Sequence, residues 1–192
     1  MKNYLITLLL FVLLLTVLKG CGYDSPVEVA GNTPAITTDG PEDTTVVFKK
    51  LINESNVQVG SLDIRNDNGK VYFTFVVPSN KYIKNIRLSM RHTLSQIPIG
   101  SNQCPTTDNF EKKVLNLPNT THRYVIEMPY IVPTKDFRFY SSAQIDIEPV
   151  SAVSPDCTVA WVEGSSFPGC TSFAKYFTHK LFIHIVPPKT VM

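Results

Sequence analysis

Charged residues are scarce, at 18% of 192, and nearly balanced, with 18 Lys and Arg against 16 Asp and Glu. Lys2 and Lys19 lie in residues 1–20, and without that segment the count is 16 against 16. A neutral domain has no long-range field to draw it onto DNA or RNA, so nucleic acid is excluded as an expected partner. The four cysteines contain no C-x-x-C pair, which argues against zinc or thioredoxin chemistry. The chain has no P-loop, no G-x-G-x-x-G and no internal repeat. Ser165-Ser166 follows a glycine but lacks the G-x-S-x-G frame, and no His/Asp partners can be assigned to it. No cofactor and no resident metal are therefore expected.

What is present first is an address. Lys2 precedes a 15-residue apolar run over 4–18, YLITLLLFVLLLTVL. A bilayer core requires roughly 20 helical residues, so the run is short for a permanent span and fits a signal-peptide h-region. Leu18-Lys19-Gly20-Cys21 follows, with a small residue directly before the cysteine. This arrangement resembles the lipobox of bacterial lipoproteins. The resemblance implies cleavage before Cys21 and attachment of diacylglycerol to its sulfur, with residues 1–20 as the leader. Lys19 departs from the family, which prefers Ala or Ser there. Gly22 replaces the Asp that signals inner-membrane retention in enterobacteria, and Asp24 and Glu28 loosely resemble the surface-export signals of Bacteroidetes lipoproteins. The expected location is the outer membrane, with the membrane itself as a partner through the lipid.

Residues 21–42 are rich in Pro, Gly, Thr and Ser without a persistent period, which suits a flexible tether. From residue 43 to 192 the chain reads as strands. Strands are expected at 44–51, 57–65, 69–77, 82–91, 122–128, 137–148, 158–163 and 173–186. Asn68-Gly69 between two of them is a favoured type I′ pair, because both residues tolerate positive φ. In 57–65, Val59 is assigned to the side opposite Leu62 and Ile64. In 82–91, Asn85, Arg87, Ser89 and Arg91 form a polar face of a half-buried strand. The 14 prolines leave little room for long helices. These signals predict an all-β domain, an antiparallel β-sandwich of about eight strands. Phe73, Phe75, Phe139, Trp161 and Phe177 are the expected core.

Two stretches resemble a β-rich domain of exported bacterial surface proteins. Val59-Gly60-Ser61-Leu62-Asp63-Ile64, Asn66-Asp67 and Val71-Tyr72-Phe73-Thr74-Phe75 are similar to its opening strands. Thr158-Val159-Ala160-Trp161-Val162-Glu163-Gly164 and Phe173-Ala174-Lys175-Tyr176-Phe177 are similar to its close. The resemblance supports the fold and implies no chemistry.

With Cys21 lipidated, Cys104, Cys157 and Cys170 remain, and an oxidising compartment favours one disulfide. A simple hairpin near Pro168 would not bring Cys157 opposite Cys170. Cys104 lies in a long loop over 97–109 and Cys170 in a loop over 164–172, so Cys104–Cys170 is the expected pair.

Candidate chemistry is thin. Asp146 and Glu148 alternate along one strand and could perform acid/base glycoside chemistry, but nothing in the sequence gives the two different environments, and a solvated face is the expected reading. His179 and His184 are five apart and point to opposite faces, so with His92 and His122 they read as solvated or edge histidines. Asp63, Asp67 and Asn68 fail the spacing of a calcium loop and belong to the hairpin. Tyr72, Tyr82, Tyr124, Tyr130, Tyr140 and Tyr176 would serve a sugar-stacking platform if they shared a face. The resulting expectation is a non-enzymatic, lipid-anchored module that is structural or binds an envelope protein or glycan through loops. A hydrolase acting on surface polysaccharide is the alternative.

Overall fold

A computed structural model describes residues 46–67, 69–129, 138–151 and 157–180. The leader, Cys21, the tether over 21–42, Tyr130 and His184 lie outside the described residues. The elements are β1 (Val47–Asn53), β2 (Gln58–Asp67), β3 (Lys70–Val76), β4 (Lys81–Arg91), β5 (Lys112–Val114), β6 (Arg123–Pro129), β7 (Arg138–Pro149), β8 (Thr158–Val162), β9 (Ser165–Ser166) and β10 (Lys175–Lys180). Two 3₁₀ turns, Leu94–Gln96 and Thr107–Asn109, complete the set, and the described residues contain no α-helix. The all-β, antiparallel expectation is met.

β2 and β3 pair from Ser61↔Val76 to Asp67↔Lys70, which leaves a two-residue loop. Gly69 in that loop has φ 77°, the conformation that Gly reaches without a Cβ penalty. On the other side of β2, β1 pairs Leu51 with Gly60 and Ile52 with Gln58, so Val59 is an extra residue. This bulge shifts the alternation by one. Val59 is therefore buried with Leu62 and Ile64, not opposite them as the simple alternation required.

The strand order is β5-β4-β7-β8-β1-β2-β3-β6, with β10 on β7 and β9 on β10. The 12-residue β7 is the centre of this arrangement. One of its edges carries β4 along nearly its whole length. The other is shared end to end, by β10 over residues 138–141 and by β8 over residues 144–147.

The sheet curls, and the link over 115–122 runs between its two ends. Along that link Leu117 N–H donates to Lys84 O at 2.9 Å, and Ile83 N–H donates to Thr121 O at 2.8 Å. β6 begins immediately afterwards.

Apolar side chains on the inner face form the main core. Phe73 and Phe75 of β3, Leu62 of β2, Ile83, Ile86 and Leu88 of β4, and Phe139 and Ile145 of β7 all contribute. Each such side chain stabilises the fold by roughly 1.5–3 kcal/mol before entropy is counted. Leu117 and Tyr124 close over this core at the seam between the sheet ends. A second, smaller core lies on the outer face of β7 and β8. There Ile97, Phe110, Trp161, Phe167 and Ala174 pack together under the long loops. All five expected core aromatics are buried, but Trp161 belongs to this outer cluster.

Candidate functional site

The outer face of β4 and β7 carries a row of charged groups. β4 has a bulge of its own: Ile83 pairs with Ile147 and Asn85 with Asp146, so Lys84 has no register partner. The irregularity puts Tyr82, Asn85, Arg87 and Ser89 on one face, opposite Glu148, Asp146, Gln144 and Ser142. Asn85, Arg87 and Ser89 are buried, so β4 is covered on both faces and not half-buried.

Asp146 and Glu148 are each 4% exposed, which overturns the reading of a solvated face. Asp146 Oδ2 accepts from Asn85 Nδ2 at 2.7 Å and from Arg87 Nη1 at 2.9 Å. Asn85 Oδ1 in turn accepts the Asn116 N–H at 2.8 Å, which ties the link over 115–122 to the row. Glu148 Oε1 accepts from Lys84 Nζ at 2.7 Å, and its Oε2 accepts from the Tyr82 hydroxyl. Burial pushes the Glu148 carboxyl up, but the hydrogen bonds from Lys84 and Tyr82 outweigh it and hold the group below its ordinary value. Burial, with the neighbouring carboxylate second, pushes the Tyr82 phenol up to about 12.

The row is therefore compensated charge by charge. A glycosidase acid needs a carboxyl held protonated, with its pKa raised, and Glu148 is driven the other way. The arrangement fixes the register of β4 on β7. The sequence signal for it was the run of cationic and amide residues at 84, 85 and 87, which acquires meaning only once β7 lies opposite.

Above the second core, loops 97–110 and 164–174 meet. Cys104 and Cys170 join them in the expected disulfide, with Cα atoms 4.7 Å apart. The first loop folds tightly on itself. Gly100 N–H donates to Cys104 O at 2.8 Å, Thr106 N–H donates to Pro98 O at 2.9 Å, and Ile99 bridges to Pro105. The second loop contains β9, which was expected to be irregular and instead pairs with Lys175 and Tyr176 of β10. Gly169 sits against Gln103, so that a Cβ there would lie 3.2 Å from the glutamine side chain. Ile99, Asn102, Gln103 and Ser172 are exposed on the joined loops. Lys175 Nζ lies 4.9 Å above the Phe173 ring.

The described histidines, His92, His122 and His179, do not gather. His122 Nδ1 lies 2.5 Å from Lys81 O, and the His92 ring lies 4.9 Å from Phe139. His179, expected to be solvated or at an edge, is 4% exposed inside the main core. Its ring lies 5.7–6.0 Å from Phe73, Phe139 and Phe177, and among the described residues neither ring nitrogen has a hydrogen-bond partner. Burial first, and the Lys49 charge second, push its pKa down to about 4. Among the described residues, no group of His, Cys, Asp and Glu is placed to hold a metal.

The five described tyrosines of the expected set form no common platform, and Tyr130 lies outside the described residues. Tyr140 and Tyr176 pack against the second core with their rings 6.3 Å apart. Tyr124 packs against the main core, Tyr82 is bound to Glu148, and Tyr72, paired with Glu127, is on the outer face of β3.

In comparisons with known proteins, the chain matches no family model, no curated protein and no solved structure.

Proposed function

We propose that the protein is an exported, lipid-anchored component of the outer membrane, whose β domain binds an envelope protein or glycan without catalysing a reaction. The observation that carries this reading is the Cys104–Cys170 disulfide, which stiffens two loops into one exposed surface. Disulfides persist in oxidising compartments, and stiff loops on a β framework are common sites of recognition. The lipobox resemblance at Cys21 supports the anchor. The neutralised pairs around Asp146 and Glu148 favour a binding module over a hydrolase. In this reading the curled sheet acts as a β-sandwich, with β4, β7 and β10 packed across the main core from β1, β2, β3 and β6.

Two measurements test the proposal. The first is mass spectrometry of the native N-terminus, with membrane fractionation of the parent and Cys21→Ala. Diacylglycerol on Cys21, and loss of membrane association in the variant, are expected. A free thiol at Cys21, or a disulfide between Cys21 and Cys157, refutes the anchor. The second is a panel of glycans and envelope proteins presented to the parent and to Gln103→Ala. Saturable binding weakened by the substitution is expected, whereas turnover abolished by Asp146→Asn refutes the non-enzymatic reading.

A further inference from the structure

We propose that β6 is a self-pairing edge, through which two copies of the chain join antiparallel about a two-fold axis at Val125. Among the described residues β6 pairs with β3 alone, and the strand order ends there. A seven-residue strand (Arg123–Pro129) with one open edge is a template for another strand.

The backbone geometry shows which groups face outward. Val77 N–H donates to His122 O at 2.9 Å, one step beyond the Val76↔Arg123 pair. In an antiparallel ladder, pairs that exchange hydrogen bonds alternate with pairs that do not. Phe75 with Tyr124, Phe73 with Ile126 and Val71 with Met128 are therefore the bonded pairs of β3 and β6. The N–H and C=O groups of Arg123, Val125 and Glu127 point away from β3, toward the open edge. Their side chains share the outer face, where Arg123 and Glu127 are exposed and Val125 is half-buried.

A second β6 must bond to these same outward groups. With Val125 opposite its own copy, Arg123 lies opposite the partner's Glu127, and the symmetry gives this ion pair twice. Tyr124 then faces Ile126 of the partner subunit on the inner side. A shift by one bonded pair in either direction puts Arg123 opposite Val125, or Val125 opposite Glu127, and both charges lose their partners. Glu127 already accepts Lys70 Nζ at 2.7 Å, but through Oε1, which leaves Oε2 for a second cation. Charge complementarity thus selects one register, and the occupant it fits is another copy of the same strand.

Sedimentation equilibrium of the purified full chain in mild detergent tests the inference. A dimer is expected. Arg123→Glu and Glu127→Arg each place like charges opposite one another and are expected to raise the dimer dissociation constant about tenfold. The double reversal restores the pairing and the parental constant. Far-UV circular dichroism confirms that each variant is folded. Val125→Cys is expected to cross-link to itself under mild oxidation. Arg123→Cys is not, because its two copies lie roughly four strand residues apart, about 13 Å. A monomer at all concentrations, no cross-link at Val125→Cys, or a double reversal as weak as either single variant would each overturn the proposal. None of these outcomes depends on the lipid or on the loop ligand.

Discussion

A neutral histidine sealed among phenyl rings should make the fold acid-sensitive in a defined window. In the unfolded chain the His179 ring takes up a proton below its ordinary 6.5, whereas in the fold it does so only below about 4. Above 6.5 the ring is neutral in both states and the fold keeps its full stability. As the pH falls from 6.5 toward 4, the unfolded chain gains a proton that the fold refuses, and stability declines. At about 1.36 kcal/mol per tenfold change in acidity, the interval is worth roughly 3 kcal/mol. The ring is nearly sealed from solvent, so screening takes little from this figure. Urea unfolding at pH 7, 6, 5 and 4 measures the decline. His179→Phe removes the titrating group and keeps an aromatic among Phe73, Phe139 and Phe177. The variant should be at least as stable as the parent at pH 7, because two buried nitrogens without partners are gone. It should also lose about 3 kcal/mol less than the parent between pH 7 and pH 4. Identical declines in the two proteins, or a His179 ring proton titrating near 6.5 by NMR, would refute the reasoning.

Further substitutions test the other parts of the fold. Asp146→Ala leaves the Arg87 guanidinium buried without its 2.9 Å partner, and a loss of about 3–5 kcal/mol in urea unfolding is expected. Tyr82→Phe deletes one donor to Glu148 and should lower stability by about 1–2 kcal/mol at pH 7. The Glu148 carboxyl, held low in the fold, contributes stability above the unfolded value of 4.5 that is lost as pH falls through its folded pKa. The Tyr82→Phe deficit should therefore shrink in acid. Replacing Cys104 and Cys170 together by Ser opens a link spanning 66 residues. A loss of about 4 kcal/mol is expected by the chain-entropy estimate, read as a lower urea midpoint that reductant no longer shifts further. Gly164→Ala would place a Cβ 2.0 Å from the Tyr176 carbonyl oxygen. It should weaken the fold by more than about 2 kcal/mol and raise proteolysis in the loop over 164–174.

Much of the strand pattern was legible because local chemistry specified it. Gly69 marked the β2–β3 turn, and β-branched and aromatic runs marked β3, β7 and β8. The bulges at Val59 and Lys84 were not legible. A single extra residue is chosen by the partner strand, and nothing in the local alternation announces it. β5 and β9, three and two residues long, are too short to carry a period. The polar face of β4 looked solvated because Asn85 and Arg87 give no local sign of the one carboxylate, Asp146, that lies 61 and 59 residues later and accepts both their hydrogen bonds. His179 misled for the opposite reason: a ring that ordinarily seeks water is held in an apolar interior by neighbours from β3 and β7. The disulfide was legible because a hairpin near Pro168 disfavours Cys157 with Cys170, and loop membership then favours Cys104 with Cys170.

The sharing of one edge of β7 between β8 and β10 has a consequence for how the chain matures. A polypeptide is synthesised N-terminus first, and the β1–β2–β3 meander can form early from neighbours in sequence. β1, however, must wait for β8, roughly 110 residues further along. The edge of β7 that faces away from β4 stays open over its first third until β10 arrives at residues 175–180. The sheet therefore cannot be completed until the last described strand has been released. Until then unpaired strand edges persist, the state in which a β-rich chain is most open to aggregation.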